Sequence, residues 1–515
     1  MSDNKGAAYF IGVDGGTESL RVGIFDERGR PQVYASSSYP TTFPEPSWAE
    51  QTPSDWWNAL VDSIHNVLAE GRKQGITPAD IKGMALDTTC CSVVMLDERG
   101  NALRPALIWM DVRASEEASE LAATGDPALA VNSNGAGPVS AEWLIPKAMW
   151  LKRHDRAYYD QATWVCEYQD YLNFKLTGRM AASLNNASIR WHYNNQRNDG
   201  QGGYASSLLA AVNMTDLEAK LPSQVVPMGD VLGPLTQTSA DALGLPAGLP
   251  VIQGGADAFV AMIGLGVVRP GALALITGSS HLHLGLSPIA FHGTGVWGTY
   301  LDAVVKGLHA IEGGQTSTGS VINWFRNLLG LDKDAYAELN AQAAKLPPGA
   351  EGLVVLEHFQ GNRTPYTDPL SRGVLSGLTL KHGREHIFRA VIEGVAYGTE
   401  LIFQTMRSAG YTPDQIVVCG GATNSPLWLQ IHADVSGLPL TLTQVADAPA
   451  LGSAILAAVG SGHFKDIPSA CDAMVHTERT VTPNNDNHAA YQELMALYEA
   501  TYPAMKDLLH QQASL

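Results

Sequence analysis

The feature that most restricts how this chain can fold is a recurring junction, in which a short apolar run stops at glycine or a small polar residue. Tyr9–Val13 runs into Asp14-Gly15-Gly16-Thr17, and Leu20–Phe25 ends at Asp26-Glu27-Arg28-Gly29. Ile81–Leu86 ends at Asp87-Thr88-Thr89, and Val93–Leu96 follows it, closing on Asp97-Glu98-Arg99-Gly100. Pro250–Ile252 leads into Gly254-Gly255-Ala256-Asp257, Leu273–Ile276 into Thr277-Gly278-Ser279, and Ile416–Cys419 into Gly420-Gly421-Ala422. Such runs read as strands bounded by turns. Open α/β sheets bind ligands at the carboxyl ends of their strands. The chain is therefore expected to be α/β, with loops from separate strands converging on one cleft. Two comparable halves, 1–250 and 251–515, would each supply some of them.

Helical patterns fill the intervals. Residues 53–73 open on Pro53-Ser54-Asp55 and place Trp56, Leu60, Ile64 and Val67 at helical spacing. Residues 385–407 and 491–509 repeat that periodicity, while 194–206 reads as an exposed loop.

Composition bounds the function. A chain of 515 residues has room for two to four domains. With 33 Lys and Arg against 51 Asp and Glu, the formal charge is −18. That balance argues against a nucleic-acid or anionic-membrane surface, both of which need cations to neutralise phosphates. A small anion would have to be held by backbone amides, a metal ion or a few placed side chains. The five cysteines include no C-x-x-C, so neither a disulfide scaffold nor a zinc ribbon is expected. The start shows no leader-like pattern and no apolar run suits a membrane span, which makes a cytoplasmic enzyme the default class.

Four junctions have chemistry beyond their turns. In Asp14-Gly15-Gly16-Thr17 the glycines would admit phosphate to the backbone and the acid would hold hydrated Mg²⁺; a plain glycine-rich hairpin accounts for the same residues. Asp257 sits among small residues after an apolar strand. Its local pattern fits the cap of a helix over Phe259–Ile263 slightly better than a general base, and the two readings are compatible. Thr277-Gly278-Ser279 could cradle a second phosphate. Gly420-Gly421-Ala422-Thr423-Asn424-Ser425 precedes a helical stretch at Pro426–Val435 and could admit a flat ring or a phosphate. No Walker-type G-x-x-x-x-G-K-[ST], no G-x-S-x-G and no H-E-x-x-H occurs, and no G-x-G-x-x-G opens a helical pattern. His281-x-His283 lacks a third ligand and reads as packing beside a turn rather than as a metal pair.

In combination these segments resemble the FGGY carbohydrate kinases of the actin superfamily, over nearly the whole chain. IGVDGGTESLRVGIFDERG is similar to that family's first phosphate loop, and MALDTTCCSVVMLDERGNALRPALIWMDVRA to its sugar-binding stretch. QGGADAFVAMIGLG resembles its catalytic segment, ALITGSS its second phosphate loop, and VVCGGATNSPLWLQIHADVSGLPL its adenosine segment. The resemblance implies two actin-like (ribonuclease H-like) domains around a central cleft, with ATP and Mg²⁺ as cofactors. It implies Asp257 as general base and Asp14, with Asp257, at the magnesium. Gly15, Gly16, Thr17 and Arg21 would form the first phosphate site, Thr277 and Gly278 the second. Gly420, Gly421, Asn424 and Ser425 would take the adenosine.

Asp87-Thr88-Thr89-Cys90-Cys91-Ser92, Trp109-Met110-Asp111-Val112-Arg113 and His309-Ala310-Ile311-Glu312-Gly313 are similar to the ribulokinase branch. The implied substrate is a small-molecule sugar, a pentulose and foremost ribulose. Xylulose or a four- or five-carbon polyol is the alternative, and a sugar-independent ATPase the remote one. Cys90, Asp111, Arg113, Lys147, Ala258 and Glu312 would line the sugar site together with Asp257. Asp111 and Arg113 could instead be a surface pair, and Lys147 a structural lysine. Family members are often dimers, so a homodimer is the implied assembly, with no nucleic-acid or membrane partner.

Overall fold

The computed structural model describes residues 8–137, 139–332 and 335–515. Segment 1–7, where the sequence shows no leader-like pattern, lies outside them. The apolar runs become two mixed sheets. In the first, Pro31–Ser38, Ser19–Asp26 and Tyr9–Gly15 form an antiparallel meander. Ile81–Thr88 then adds in parallel to Tyr9–Gly15, followed by Pro250–Ile252 and, at the edge, Val231–Pro234. In the second, His309–Gln315, His281–Ser287 and Ala272–Thr277 form the meander, and Gln415–Gly420 and Leu440–Thr443 add in parallel. Trp297–Leu301 and Thr477–Val481 close its edges. Leaving edge strands aside, both sheets run third, second, first, fourth, fifth. This is the duplicated, actin-like α/β architecture expected from the sequence.

Two details depart from the sequence reading. Val94–Leu96 does not repeat the motif inside a main sheet; it pairs with Trp164–Cys166 in a separate two-stranded ribbon. And Pro250–Ile252 hydrogen-bonds within the first sheet, so the chain crosses from one sheet to the other between Ile252 and Ala272 rather than at 250/251.

That crossing is made by the helix Asp257–Gly264, which packs against the helix Ala448–Gly460 between the two sheets. Both are apolar around most of their circumference, as helices covered on all sides must be. Glycine lets them approach backbone to backbone. A Cβ at Gly264 would stand 1.9 Å from the Ala448 carbonyl, one at Gly452 2.1 Å from that of Val260, and one at Gly12 1.9 Å from that of Ala450. The other helical patterns form close to where periodicity puts them, at Pro53–Lys73, Arg384–Ser408 and Asn485–Ala513. No helix among the described residues is long and apolar enough to cross a membrane.

Candidate functional site

The carboxyl end of the first sheet carries a cluster of acids. Asp14 and Asp87 are register partners on adjacent parallel strands, so their side chains stand side by side. Both are buried. Arg21, opposite Asp14 on the neighbouring strand, pairs with Asp14 and lies 3.5 Å from Asp447. Burial lifts the Asp14 carboxyl above its ordinary range, and the Arg21 charge opposes that rise. Asp87 is pushed well up, first by burial and then by the Asp14 charge. One Asp87 oxygen accepts from Ser453 Oγ at 2.7 Å, and the other is buried without a partner.

Asp257 completes the group. Ala256 occupies the cap position of its helix, so Asp257 is the first helical residue rather than the cap. Its Oδ1 accepts from the Ala258 amide at 2.7 Å, and the Ala256 amide donates to Asn185 Oδ1 at 3.0 Å. Burial, then the Asp14 charge, pushes the Asp257 carboxyl up to about 7. That value suits a base working near neutrality.

The hairpin after Asp14 is tight. A Cβ at Gly15 would lie 2.9 Å from Thr88 Cγ2 and 3.0 Å from the Tyr168 hydroxyl. The Gly16 amide closes the turn on the Ser19 carbonyl at 3.0 Å, and the Gly278 amide closes its own turn on Ser280 at 3.0 Å. These two amides are therefore committed to their hairpins, and the loops' other donors are left to face a ligand. Thr17 is held from outside: Trp109 Nε1 donates to its Oγ1 at 2.9 Å and Gln51 Nε2 to its carbonyl at 2.6 Å. The loop that follows Asp14 is thereby tied to the stretch containing Trp109.

The second sheet ends differently. Thr277 Oγ1 donates to the Cys419 carbonyl at 2.7 Å and accepts from the Ala422 amide at 3.3 Å, latching two loops together. Gly420 has φ +96°, and a Cβ there would meet the Thr277 carbonyl at 1.9 Å. Glycine is thus required by both backbone and space. Gly421 is free of both constraints, with nothing within 4 Å of its missing Cβ, which leaves room for a flat group over the backbone. It borders a cavity of about 370 Å³ with Gly278, Asn424 and Ser425 on one side and Ile322, Tyr336 and Phe388 on the other. Ser425 caps the helix Pro426–Ser436, accepting from the Trp428 amide at 3.2 Å and donating to Asn340 Oδ1 at 2.6 Å. Asn424 Nδ2 donates back to the Gly421 carbonyl at 3.2 Å. His281 lines this cavity and packs edge-on to Trp428 at 5.5 Å, while His283 packs edge-on to Phe403 at 5.8 Å.

The residues assigned to sugar separate into two groups. Asp111, Arg113 and Lys147 face inward. Asp111 is fully buried and accepts from the Ala49 amide at 2.7 Å and from Arg113. The Arg113 side chain, 1% exposed, reaches Glu50 at 2.8 Å and lies over the Trp48 ring at 3.7 Å. The two form a buried knot, not a surface pair. Lys147 is fully buried and donates to the Cys91 and Ile108 carbonyls at 2.8 and 2.6 Å, which makes it a brace for the loop. Glu312 belongs to the other group. It is buried, and Arg190 Nη2 donates to both its oxygens at 3.0 and 3.1 Å. The Arg190 charge reaches Asp257 and Cys90 as well. Cys90 is partly exposed, and its thiol lies 3.6 Å from that of Cys91. Ala258 follows Asp257 on the same helix.

Arg190, Asp87 and Asp447 are the members sequence reasoning did not single out as site residues. Asp87 carried a signal, since it ends an apolar strand just as Asp14 does. Arg190 carried none, because its importance comes from a contact 122 positions along the chain.

The N-terminal domain of the FGGY family of carbohydrate kinases matches residues 9–264, and the C-terminal domain of that family matches 273–461. The chain belongs to the FGGY family of carbohydrate kinases. It is thus a phosphotransferase with an alcohol group as acceptor, in a family that uses ATP as donor. It is 31% identical to a ribulokinase of Geobacillus thermodenitrificans, covering 96% of this chain and 94% of that protein. It is 30% identical to an FGGY carbohydrate kinase domain-containing protein of Xenopus laevis, over 95% and 96%. The crystal structure of xylulose kinase from Rhodospirillum rubrum superposes with a TM-score of 0.87 at 29% identity, covering 98% of this chain and all of that one.

Among the described residues, no three or more His, Cys, Asp or Glu side chains are grouped to hold a metal ion by themselves. Mg²⁺ keeps several waters and takes one or two carboxylates plus phosphate oxygens. The unpartnered Asp87 oxygen and the neighbouring Asp14 are suited to that role.

Proposed function

We propose that this protein phosphorylates a pentulose, foremost ribulose, at the expense of MgATP. The observation that carries this reading is the buried Arg190–Glu312 pair beside Asp257. It sets a paired donor and acceptor for sugar hydroxyls next to a carboxylate of suitable basicity. The ribulokinase relatives support the choice of ribulose. Xylulose is the second reading, supported by the likeness to the xylulose kinase structure.

The adenosine would occupy the cavity beside Gly421, with its ring over the open backbone and against Tyr336 and Phe388. The loops at Gly16–Thr17 and Gly278–Ser279 would hold the phosphates between the two sheets. Asp14 and Asp87 would hold hydrated Mg²⁺, and Arg21 would balance the acids around it. Mg²⁺, when bound, supplies positive charge to the phosphoryl oxygens. Asp257 Oδ1 is engaged by its own helix, which leaves Oδ2 to take the proton from the attacking hydroxyl. Phosphoryl transfer needs little else beyond in-line positioning and neutralised charge. Cys90 would be part of the sugar-pocket wall, and no covalent step passes through it.

A coupled assay of ADP release across ribulose, xylulose, their mirror images and the matching alditols tests the reading. ADP release should depend on a five-carbon ketose, with ribulose giving the highest kcat/KM. Equal ADP release with and without sugar would instead identify a sugar-independent ATPase.

A further inference from the structure

Asp257 is the first residue of its helix, and its own segment does little to fix the angle at which that helix starts. The cap position is Ala256, which has no side-chain oxygen, so no local cap is made. The two residues before it, Gly254 and Gly255, give the backbone its greatest freedom. A working carboxylate needs the opposite, a position held to within about 0.5 Å. The order has to be imposed from elsewhere in the chain.

Three buried side chains impose it. Ser183 Oγ donates to the Gly254 carbonyl at 2.7 Å. Gln169 Nε2 donates to the Leu86 carbonyl at 2.5 Å and reaches the Gly255 carbonyl at 3.4 Å. Asn185 takes the third residue. Its Oδ1 accepts from the Ala256 amide at 3.0 Å, one peptide before the carboxylate. A Cβ at Gly255 would stand 2.9 Å from the same Oδ1, so the carboxamide packs against bare backbone. The other end of that carboxamide crosses the seam between the two halves, where Nδ2 donates to the Ala303 carbonyl at 3.0 Å. Asn185 has no exposed surface, and both its polar atoms are used. It stands near the start of the short helix Leu184–Arg190, whose last residue is the arginine that grips Glu312. One helix thus holds the approach to Asp257 at its start and Glu312 at its end.

We propose that Asn185 is a positioning residue for phosphoryl transfer. It holds the Ala256–Asp257 peptide so that the free Oδ2 of Asp257 meets the attacking hydroxyl, and it ties that peptide to the second half through Ala303. Asparagine suits the task because its planar amide offers an acceptor and a donor at fixed spacing. Aspartate keeps the acceptor and leucine keeps only the shape. Transfer is steep in position, and a misplacement of about 1 Å can cost about 10²-fold in rate. The inference rests on the reading of Asp257 as general base.

The test is steady-state kinetics of the full-length protein with the sugar that gives the highest kcat/KM, with kcat expressed per nucleotide-binding site so that unfolded chains do not count. Asn185→Leu should lower kcat about 10- to 100-fold. KM for ATP, and sugar binding read by calorimetric titration, should stay within a few-fold. Its kcat/KM should still rise with pH to a plateau above about 7, at a lower level, because Asp257 remains the base. Asn185→Asp retains the acceptor for the Ala256 amide. At about pH 9, where Asp257 is ionised, it should recover kcat to within a few-fold of the unmodified protein. Asn185→Ser, too short to span both partners, should fall between the two and supplies the answer if the leucine variant does not fold. Val67→Ala, a destabilised reference in the core beneath the helix Pro53–Lys73, should keep its kcat. Normal kcat in the leucine and serine variants, a lost pH limb in Asn185→Leu, no recovery in Asn185→Asp, or an equal fall in Val67→Ala would each overturn the proposal. Full activity of Asp257→Asn would instead overturn the general-base reading on which it rests.

Discussion

Where its first and fourth strands end, the first sheet sets Asp14 beside Asp87; at the matching place the second sheet sets Ile276 beside Cys419. The strand order is the same, and a short hairpin follows in each, 16–19 between register partners in one and 278–280 in the other. One frame has thus been filled with two chemistries. The acidic end gathers charge that a cation and a phosphoryl group can use. The neutral end offers glycine, hydroxyls and an apolar cavity suited to a nucleoside. Duplicated backbone geometry sets where ligands go, and the residues at each strand end decide which part of the ligand goes there.

The largest effect is expected at the acidic end. Asp257→Asn should lower kcat for sugar-dependent ADP release by about 10²- to 10⁴-fold, the usual span for a general base. Nucleotide binding, read by fluorescence titration, should stay within a few-fold. The pH profile sharpens this. With the carboxyl near 7, kcat/KM in the unmodified protein should rise with pH and level off above about 7. The variant should lack that limb. Stability should move the other way. A carboxyl raised on folding costs stability increasingly between its unfolded range, near 4, and about 7. Asp257→Asn should therefore raise Tm more at pH 8 than at pH 5. A variant with full activity would remove Asp257 from the reaction.

Asp14→Asn makes the first sheet resemble the second without changing its shape. Removing one preorganised charge contact costs about 10²- to 10³-fold in kcat in well-studied sites. The same fall is expected here, together with a higher Mg²⁺ requirement. Asp14→Asn also leaves Arg21 with Asp447 alone, so retention of the fold should be checked by circular dichroism.

Arg190→Met tests the sugar end. It takes the close partner from the buried Glu312 and leaves only Arg363, 4.0 Å away; breaking a buried pair typically destabilises by about 3–5 kcal/mol, and Arg363 should hold the loss to the lower end. Arg190→Lys keeps the charge and is the variant to assay. It should raise KM for the sugar about tenfold, because one ammonium cannot hold Glu312 and the Ile189 carbonyl together as the two guanidinium nitrogens do. KM for ATP should be unchanged. A rise in both constants would make Arg190 a general structural residue.

The comparison also explains what the sequence showed and what it hid. Strand ends were legible because an apolar run followed by Gly or Asp is a local signal, and Asp14, Thr277 and Gly420 all stand where that signal put them. The two long helices at Pro53–Lys73 and Arg384–Ser408 were legible from periodicity. Direction of burial was not legible. Asp111, Arg113 and Lys147 have the chemistry of sugar ligands, and the sequence did not show that two tryptophans and two carbonyls also hold them. Arg190 gains its importance through Glu312, and Val94–Leu96 finds its partner in Trp164–Cys166, both far along the chain. Pairings of that kind leave no mark on local pattern.

The smallest expected effect belongs to the neutral end. Ser425 caps the helix that closes the cavity beside Gly421 and holds Asn340 in the facing wall. Ser425→Ala removes the acceptor for the Trp428 amide and the donor to Asn340. Losing such a cap costs roughly 1 kcal/mol, which in a chain of this size shifts Tm by only a few degrees. The local consequence should be larger than the global one. With the first turn of the helix loosened and Asn340 released, the cavity wall is less ordered before nucleotide arrives, and KM for ATP should rise a few-fold. Asp257 and its neighbours lie at the other sheet's strand ends, so kcat and its pH profile should be unchanged. A fall in kcat equal to the change in KM would mean that the two strand ends are coupled through the seam rather than dividing the work. The helix Ala448–Gly460, packed against the first sheet with Asp447 at its start, would then be the first element to examine for that coupling.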